Sequence, residues 1–209
     1  MDVIEGSIHD LEFIYDRLEK DFPPDERKDR KQIESLMLKN KYKLLLAKDP
    51  TLSEVIGYAF VFETEKPRLL WIDYIAIDPK FQSKGYGTML FTEVLEKSND
   101  VIGIIVEVEK ANHKNEKIRE KQKKRIDFYK RLGASRLNIA YHLPTKEGSI
   151  PLDLYFKPKQ GVNYLPKEVI QNKICSVFQF IHGDIEHRNI VLNRFDNAID
   201  HEYFNAVDN

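Results

Sequence analysis

The sequence predicts a mixed α/β fold of six to seven strands with helices on both faces. Three observations carry that expectation. Apolar and β-branched runs at 42–47, 55–63, 69–77 and 101–108 are bounded by turn residues, as strands are. The run at 69–77 is almost unbroken in its apolar character, which suits a strand covered on both faces. Residues 86–97 separate two such runs with a helical-period segment, long enough for a crossover that sets the strands parallel.

The elements follow in order. Residues 3–6 make a short first strand. Ser7-x-x-Asp10 resembles a capping box, and Leu11, Ile14, Tyr15, Leu18 and Phe22 then share one helical face. Pro23-Pro24 ends that helix. A second, more polar helix turns Ile33, Leu36 and Met37 inward. Lys48-Asp49-Pro50-Thr51 is a turn between two strands, and Gly57 inside the second marks a bulge or a close backbone approach. Asp78-Pro79 stops the strand at 69–77, because proline has no N–H for the ladder.

Gln82-Ser83-Lys84-Gly85-Tyr86-Gly87-Thr88 then leads into a helix with Leu90, Val94 and Phe91, Leu95 at helical spacing. Glycines here let a backbone approach a ligand closely and accept positive φ. The first N–H groups of the helix have no internal partners and favour an anion. Either a phosphate-binding loop or a tight turn without a ligand fits this pattern, and the two glycines alone do not choose.

In the strand at 101–108, Ile104, Val106 and Val108 point one way, while Ile105, Glu107 and Glu109 point the other. Glu109 is expected to emerge into solvent, whereas Glu107 lies deeper. From Lys110 to Arg131 there are ten Lys or Arg against three acids, a run read as a solvated helix face, with a basic face that attracts a phosphate-bearing ligand or an acidic acceptor as the alternative. Phe128, Tyr129 and Leu132 form an apolar face at its end, and Gly133 suits a helix C-cap. Residues 134–141 and 151–157 are the last two strands, a hairpin through 143–148. Residues 158–209 form a helical extension whose stripe of Leu165, Val169, Ile174, Val177, Phe178 and Ile181 packs on the domain or on a second copy, in a homodimer.

At 209 residues the chain suits one domain, 1–157, with the appendage 158–209. A formal net charge of −1 points to neither nucleic acid nor membrane. Cys175 is the only cysteine, so no internal disulfide forms. Met1-Asp2-Val3 opens without a basic and then apolar signal segment, and no apolar run reaches the ~18–20 residues of a membrane span. The protein is expected to be cytoplasmic.

Gln82-x-x-Gly85-x-Gly87, preceded by Ile75-Ala76-Ile77-Asp78-Pro79, closely resembles the coenzyme A motif of the GNAT superfamily of N-acetyltransferases. IIVEVEKAN at 104–112 and FYKRLGA at 128–134 look like the next family strand and its Tyr-x-x-x-Gly helix end, in the family's order. The resemblance covers roughly residues 3–157, and the basic segment between Asn112 and Tyr129 is longer than compact members need.

The resemblance implies a strongly bent sheet and transfer of an acetyl group from acetyl-CoA to a primary amine in a ternary complex. It implies that Ile75, Ala76 and Ile77 pair with the pantetheine arm through their backbones, at a splay between strands four and five. Gln82, Ser83, Lys84, Gly85, Tyr86, Gly87 and Thr88 would hold the pyrophosphate, and Asn112 would touch the pantetheine side. Glu107 matches the residue that accepts the amine proton, directly or through water, and Tyr129 matches the general acid. Tyr141 and His142 are candidates for acceptor contact, with His142 read first as an exposed histidine at the loop edge. No metal is implied. Two rivals stay open: a non-catalytic acyl-CoA-binding or sensing module, and an acyltransferase acting on a protein N-terminus. His182-Gly183-Asp184…Asn189 looks like the catalytic loop of small-molecule phosphotransferases, but no nucleotide-binding lobe precedes it, and it is read as coincidence.

Overall fold

The computed structural model of the chain describes residues 1–51 and 54–204. They fall into two compact units, one of residues 1–64 and 70–101, the other of 65–69 and 102 onward. The mixed α/β class matches the expectation.

In the first unit β1 (Asp2–Glu5), β2 (Tyr42–Lys48), β3 (Val55–Glu63) and β4 (Arg68–Ile77, from Leu70 on in this unit) pair antiparallel in chain order. Every position of β3 from Ile56 to Phe62 is buried, as in a strand covered on both faces. Helix α1 (Ile8–Asp21) starts at Ser7, whose N–H donates to Asp10 Oδ2 at 2.7 Å and holds that carboxyl below its usual range. It buries Leu11, Ile14 and Leu18, and Asp21 at its end accepts from the Tyr58 hydroxyl at 2.9 Å. Helix α2 (Arg30–Met37) carries a full capping box, Asp29 with Gln32, and buries Ile33 and Leu36.

Two irregularities shape β4. The β3–β4 register passes from Phe60 opposite Tyr74 to Val61 opposite Ile72, so Asp73 is an extra, bulged residue. Gly57 sits opposite Ile77, and a Cβ there would come within 2.8 Å of the Ala76 carbonyl oxygen. Gly57 therefore marks a close backbone approach; the β2–β3 register also shifts beside it.

In the second unit β8 (Gly148–Pro158) lies between β5 (Val101–Glu109, from Ile102 on in this unit) and β6 (Ser135–Arg136), antiparallel to both. The strand expected at 134–141 is corrected: it breaks after Arg136, and β7 (His142–Thr145) pairs with β8 in a hairpin tighter than 143–148. The cause is competition for its backbone. Leu137 still donates to Leu154 at 2.8 Å, but the Asn138 N–H turns to the Glu202 carboxylate at 2.5 Å.

Helix α4 (Glu116–Arg131) follows an Asn115 cap that accepts from Lys117 and Ile118. Beyond β8 come α5 (Lys167–Phe180), α6 (Arg188–Asn193) and a ribbon of β9 (Tyr164–Leu165) with β10 (Glu202–Tyr203). The extension buries Ile170, Ile174, Val177, Phe178, Val191 and Phe195; its last residues, 205–209, lie outside the described ones.

Candidate active site

In the first unit the chain leaves β4 through half-buried Ile75, Ala76 and Ile77. The Asp78 N–H donates to Ile56 at 2.9 Å, and its side chain accepts from Lys80 at 2.9 Å, starting a single 3-10 turn at Pro79–Phe81. The Gln82 side chain then reaches back and donates to the Ile77 carbonyl at 2.8 Å, pinning the loop to the strand end. Two loop residues stand in left-handed conformation, Ser83 at φ 62° and Gly85 at φ 84°. Serine is uncommon there, and glycine accepts it without steric cost.

Gly85 is also the N-cap of α3 (Tyr86–Glu96), so no side chain answers the helix's first N–H groups, and no acid stands in its first turn. Residues 82–85 and Thr88 are exposed, and a Cβ at Gly85 would meet nothing within 4 Å. The loop thus presents backbone donors, helped by the dipole, to any anion that reaches it. Lys84 lies over the Phe81 ring, 5.5 Å from its centroid.

In the second unit Glu107 lies half-buried on β5, opposite Leu154. The Tyr141 hydroxyl donates to its Oε1. Tyr141 is fully buried, its ring edge-on to Phe178 at 6.0 Å and to Phe195 at 5.5 Å. Tyr129, in the last turn of α4, is 4 % exposed. Burial pushes its hydroxyl up to about 12; Arg125 opposes the rise and Glu109 adds to it. Glu109, expected in solvent, is instead held by an ion pair to Arg125. Asn112 is exposed on the loop before α4, and the basic positions 117, 121, 124 and 130 of that helix are exposed as well.

His142 is half-buried on β7, 3.4 Å from Ser149 through Nδ1, and burial, with Lys110 and Arg194 nearby, holds its pKa below the usual value. The His182 fragment does not assemble into a site: His182 is buried beside Phe178, while Asp184 and Asn189 are exposed. Among the described residues no group of three His, Cys, Asp or Glu could hold a metal, and no helix is long and apolar enough to cross a membrane.

Sequence reasoning missed a buried cluster in the first unit. The Asp73 carboxylate takes hydrogen bonds from Lys28 Nζ at 3.2 Å and from the Tyr42 hydroxyl, and the Tyr74 hydroxyl accepts from Lys28 N–H at 3.0 Å. The available signal was Asp73 itself, an acid inside an apolar strand.

The profile of the Acetyltransferase (GNAT) family matches residues 11–134. No curated protein matches the chain. Among solved structures, a GNAT-family protein of Bacteroides thetaiotaomicron is 20% identical, with 88% of this chain and 99% of that one covered at a TM-score of 0.71. Arabidopsis thaliana NAA60 with a bisubstrate analogue is 16% identical, covering 77% and 100% at 0.58. The ribosomal-protein-S18-alanine N-acetyltransferase of Escherichia coli is 20% identical, covering 74% and 90% at 0.53. These likenesses speak for the fold. With a family match across more than half of its length, the chain belongs to the GNAT acetyltransferase family.

Proposed function

We propose that the protein transfers the acetyl group of acetyl-CoA directly to a primary amine in a ternary complex. The observation that carries the reading is the exposed, glycine-capped start of α3, with its loop pinned to β4 by Gln82. Backbone N–H groups from Ser83 to Thr88 receive the pyrophosphate. The backbones of Ile75, Ala76 and Ile77 receive the pantetheine arm, and an N–H there polarises the thioester carbonyl. Asn112 is assigned to the pantetheine side.

The reaction also needs a proton acceptor. An alkyl amine with a pKa near that of lysine, ~10.4, is only about one part in 2500 neutral at pH 7. Glu107 takes its proton, directly or through water. The nitrogen pair then forms the C–N bond, the C–S bond breaks with its electron pair on sulfur, and the second proton that the nitrogen sheds on becoming an amide ends on that sulfur, giving the free thiol. Tyr129 is assigned as the donor to that sulfur. With its hydroxyl pushed up to about 12, it stays protonated at pH 7. Complete transfer to a thiolate of pKa ~8.5 would be uphill by roughly 5 kcal/mol, so its role is to donate a hydrogen bond as charge develops. Cys175, with Gln179 donating to its sulfur at 3.3 Å, is not assigned an acyl-enzyme role. The lone cysteine fits a cytoplasmic setting.

The acceptor is a small amine or a protein N-terminus; the structurally similar proteins include a spermidine N-acetyltransferase and the S18-alanine enzyme. The test is calorimetric titration with acetyl-CoA, with ATP and NAD as controls. Thiol release is then followed with spermidine and with a peptide bearing an N-terminal alanine. Micromolar binding of acetyl-CoA alone, with turnover of one amine, is expected. Binding without turnover of any amine would make the protein an acyl-CoA-binding or sensing module, and absence of binding would overturn the loop assignment.

A further inference from the structure

We infer that Tyr141 is a positioning residue for the Glu107 carboxylate, and that the C-terminal extension fixes it there through Phe178 and Phe195. The inference rests on the assignment of Glu107 as the proton acceptor. A glutamate side chain at a strand end has several torsions to explore, and a base works only from the geometry that reaches its proton. Something must hold it, and the Tyr141 hydroxyl donates to Glu107 Oε1.

Tyr141 itself belongs to no strand. It stands between β6 and β7, tied to β8 through its carbonyl, which accepts from the Leu152 N–H at 3.2 Å. Its ring direction is set by packing. Phe178 of α5 and Phe195 beyond α6 each meet it edge-on, and they meet one another at 6.1 Å, closing a three-ring cluster. No part of Tyr141 is exposed, so the ring cannot swing away without opening that cluster.

The same extension grips the β7–β8 hairpin beside it: His187 Nε2 lies 2.9 Å from the Gly148 carbonyl, and Arg194 donates to the Ser149 hydroxyl at 3.3 Å. Residues beyond 158 therefore act on a β5 carboxylate through one tyrosine. Tyr141, a candidate for acceptor contact on sequence grounds, has its hydroxyl committed to Glu107 instead.

Two measurements on the full chain test this. Tyrosine labelled with 13C at Cζ reports the contact without any substrate. The resonance lost in Tyr141→Phe should move in Glu107→Gln and, by less, in Phe195→Leu. If Glu107→Gln leaves that resonance in place, the contact is overturned. Kinetics with whichever of spermidine or the alanine peptide is turned over reports the role. Tyr141→Phe should lower kcat by about tenfold, a part of what a general base contributes, and leave the KM for acetyl-CoA unchanged. In a Glu107→Gln background the same substitution should change nothing further. An equal loss in both backgrounds, or a loss carried by KM, would overturn the positioning role. Full turnover by Glu107→Gln alone would instead overturn the base assignment on which the inference stands. Phe195→Leu should lower kcat two- to threefold only while Tyr141 is present; the same loss in Tyr141→Phe would remove the extension from the argument.

Discussion

The loop at residues 82–85 and the end of β5 are both assigned to one reaction, yet they are made of different material. The loop offers backbone N–H groups: its helix begins on a glycine where an added Cβ would meet nothing within 4 Å, and its two left-handed residues set the path. The β5 region offers side chains, and each depends on a neighbour. Glu107 is held by Tyr141, Tyr141 by Phe178 and Phe195, and Glu109 by Arg125. A surface built from backbone is insensitive to most substitutions and acutely sensitive to those that add bulk or charge. A cluster built from side chains fails in proportion to the contact removed.

The sharpest way to break the comparison is Gly85→Glu. A Cβ meets nothing there, so the fold should survive with a cost of about 1–2 kcal/mol for the left-handed backbone. The new carboxylate stands where the pyrophosphate is assigned, and like charges in contact cost several kcal/mol, roughly a hundredfold or more in Kd. Calorimetry with acetyl-CoA checks this beside a thermal melt, with Gly85→Ala as control for the backbone cost. Unchanged affinity in the folded glutamate variant would remove the loop from cofactor binding.

Glu107→Gln is the corresponding break in the β5 region. It keeps the size of the side chain and an acceptor for Tyr141, but not the base. Turnover should fall about 10²- to 10⁴-fold, while acetyl-CoA binding by calorimetry stays as it was. A weaker cofactor together with a slower rate would mean that the two regions are not separable in this way.

The difference between the regions also decides what could be read in advance. Gln82, Gly85 and Gly87 mark the loop through their spacing, and spacing is a property of sequence. The capping box at Ser7 and the close approach at Gly57 were legible for the same reason: each is local. The β5 cluster depends on residues far apart in the chain. The bond from Tyr141 to Glu107 spans 34 positions, and the rings that hold it come from an extension outside the family resemblance. The strand expected at 134–141 failed because Asn138 found its partner at Glu202, 64 positions away. Lys173 breaks the apolar stripe of α5 on paper. In the fold it is 1 % exposed and donates to the Glu65 carbonyl at 2.7 Å, 108 positions distant. No periodicity announces such pairings.

Tyr129→Phe sharpens the comparison at finer scale, because it removes one hydroxyl and no volume. The expected loss in kcat is about tenfold, with acetyl-CoA affinity unchanged. Since burial pushes the hydroxyl up to about 12, the wild-type rate should show no fall between pH 8 and about 10 from ionisation of this group. An alkaline limb near pH 9 that vanishes in the phenylalanine variant would mean that Tyr129 ionises well below that value and gives up its proton outright.

The smallest effect concerns His142, which tests whether burial governs the second unit's titration away from the carboxylates. Burial comes first, followed by Lys110 and Arg194, in holding its folded pKa below the unfolded value. The unfolded chain therefore takes up the proton at a higher pH than the folded chain does, and stability must decline as pH falls from about 7 through the unfolded pKa of ~6.5 towards the lower folded one. The group is partly exposed, so the decline is shallow. In His142→Gln the drop in Tm between pH 7.5 and 5.5 should be smaller than in the wild type. An identical drop would assign the acid sensitivity of this unit to other groups, and would leave His142 as a hairpin residue whose charge the fold does not resist.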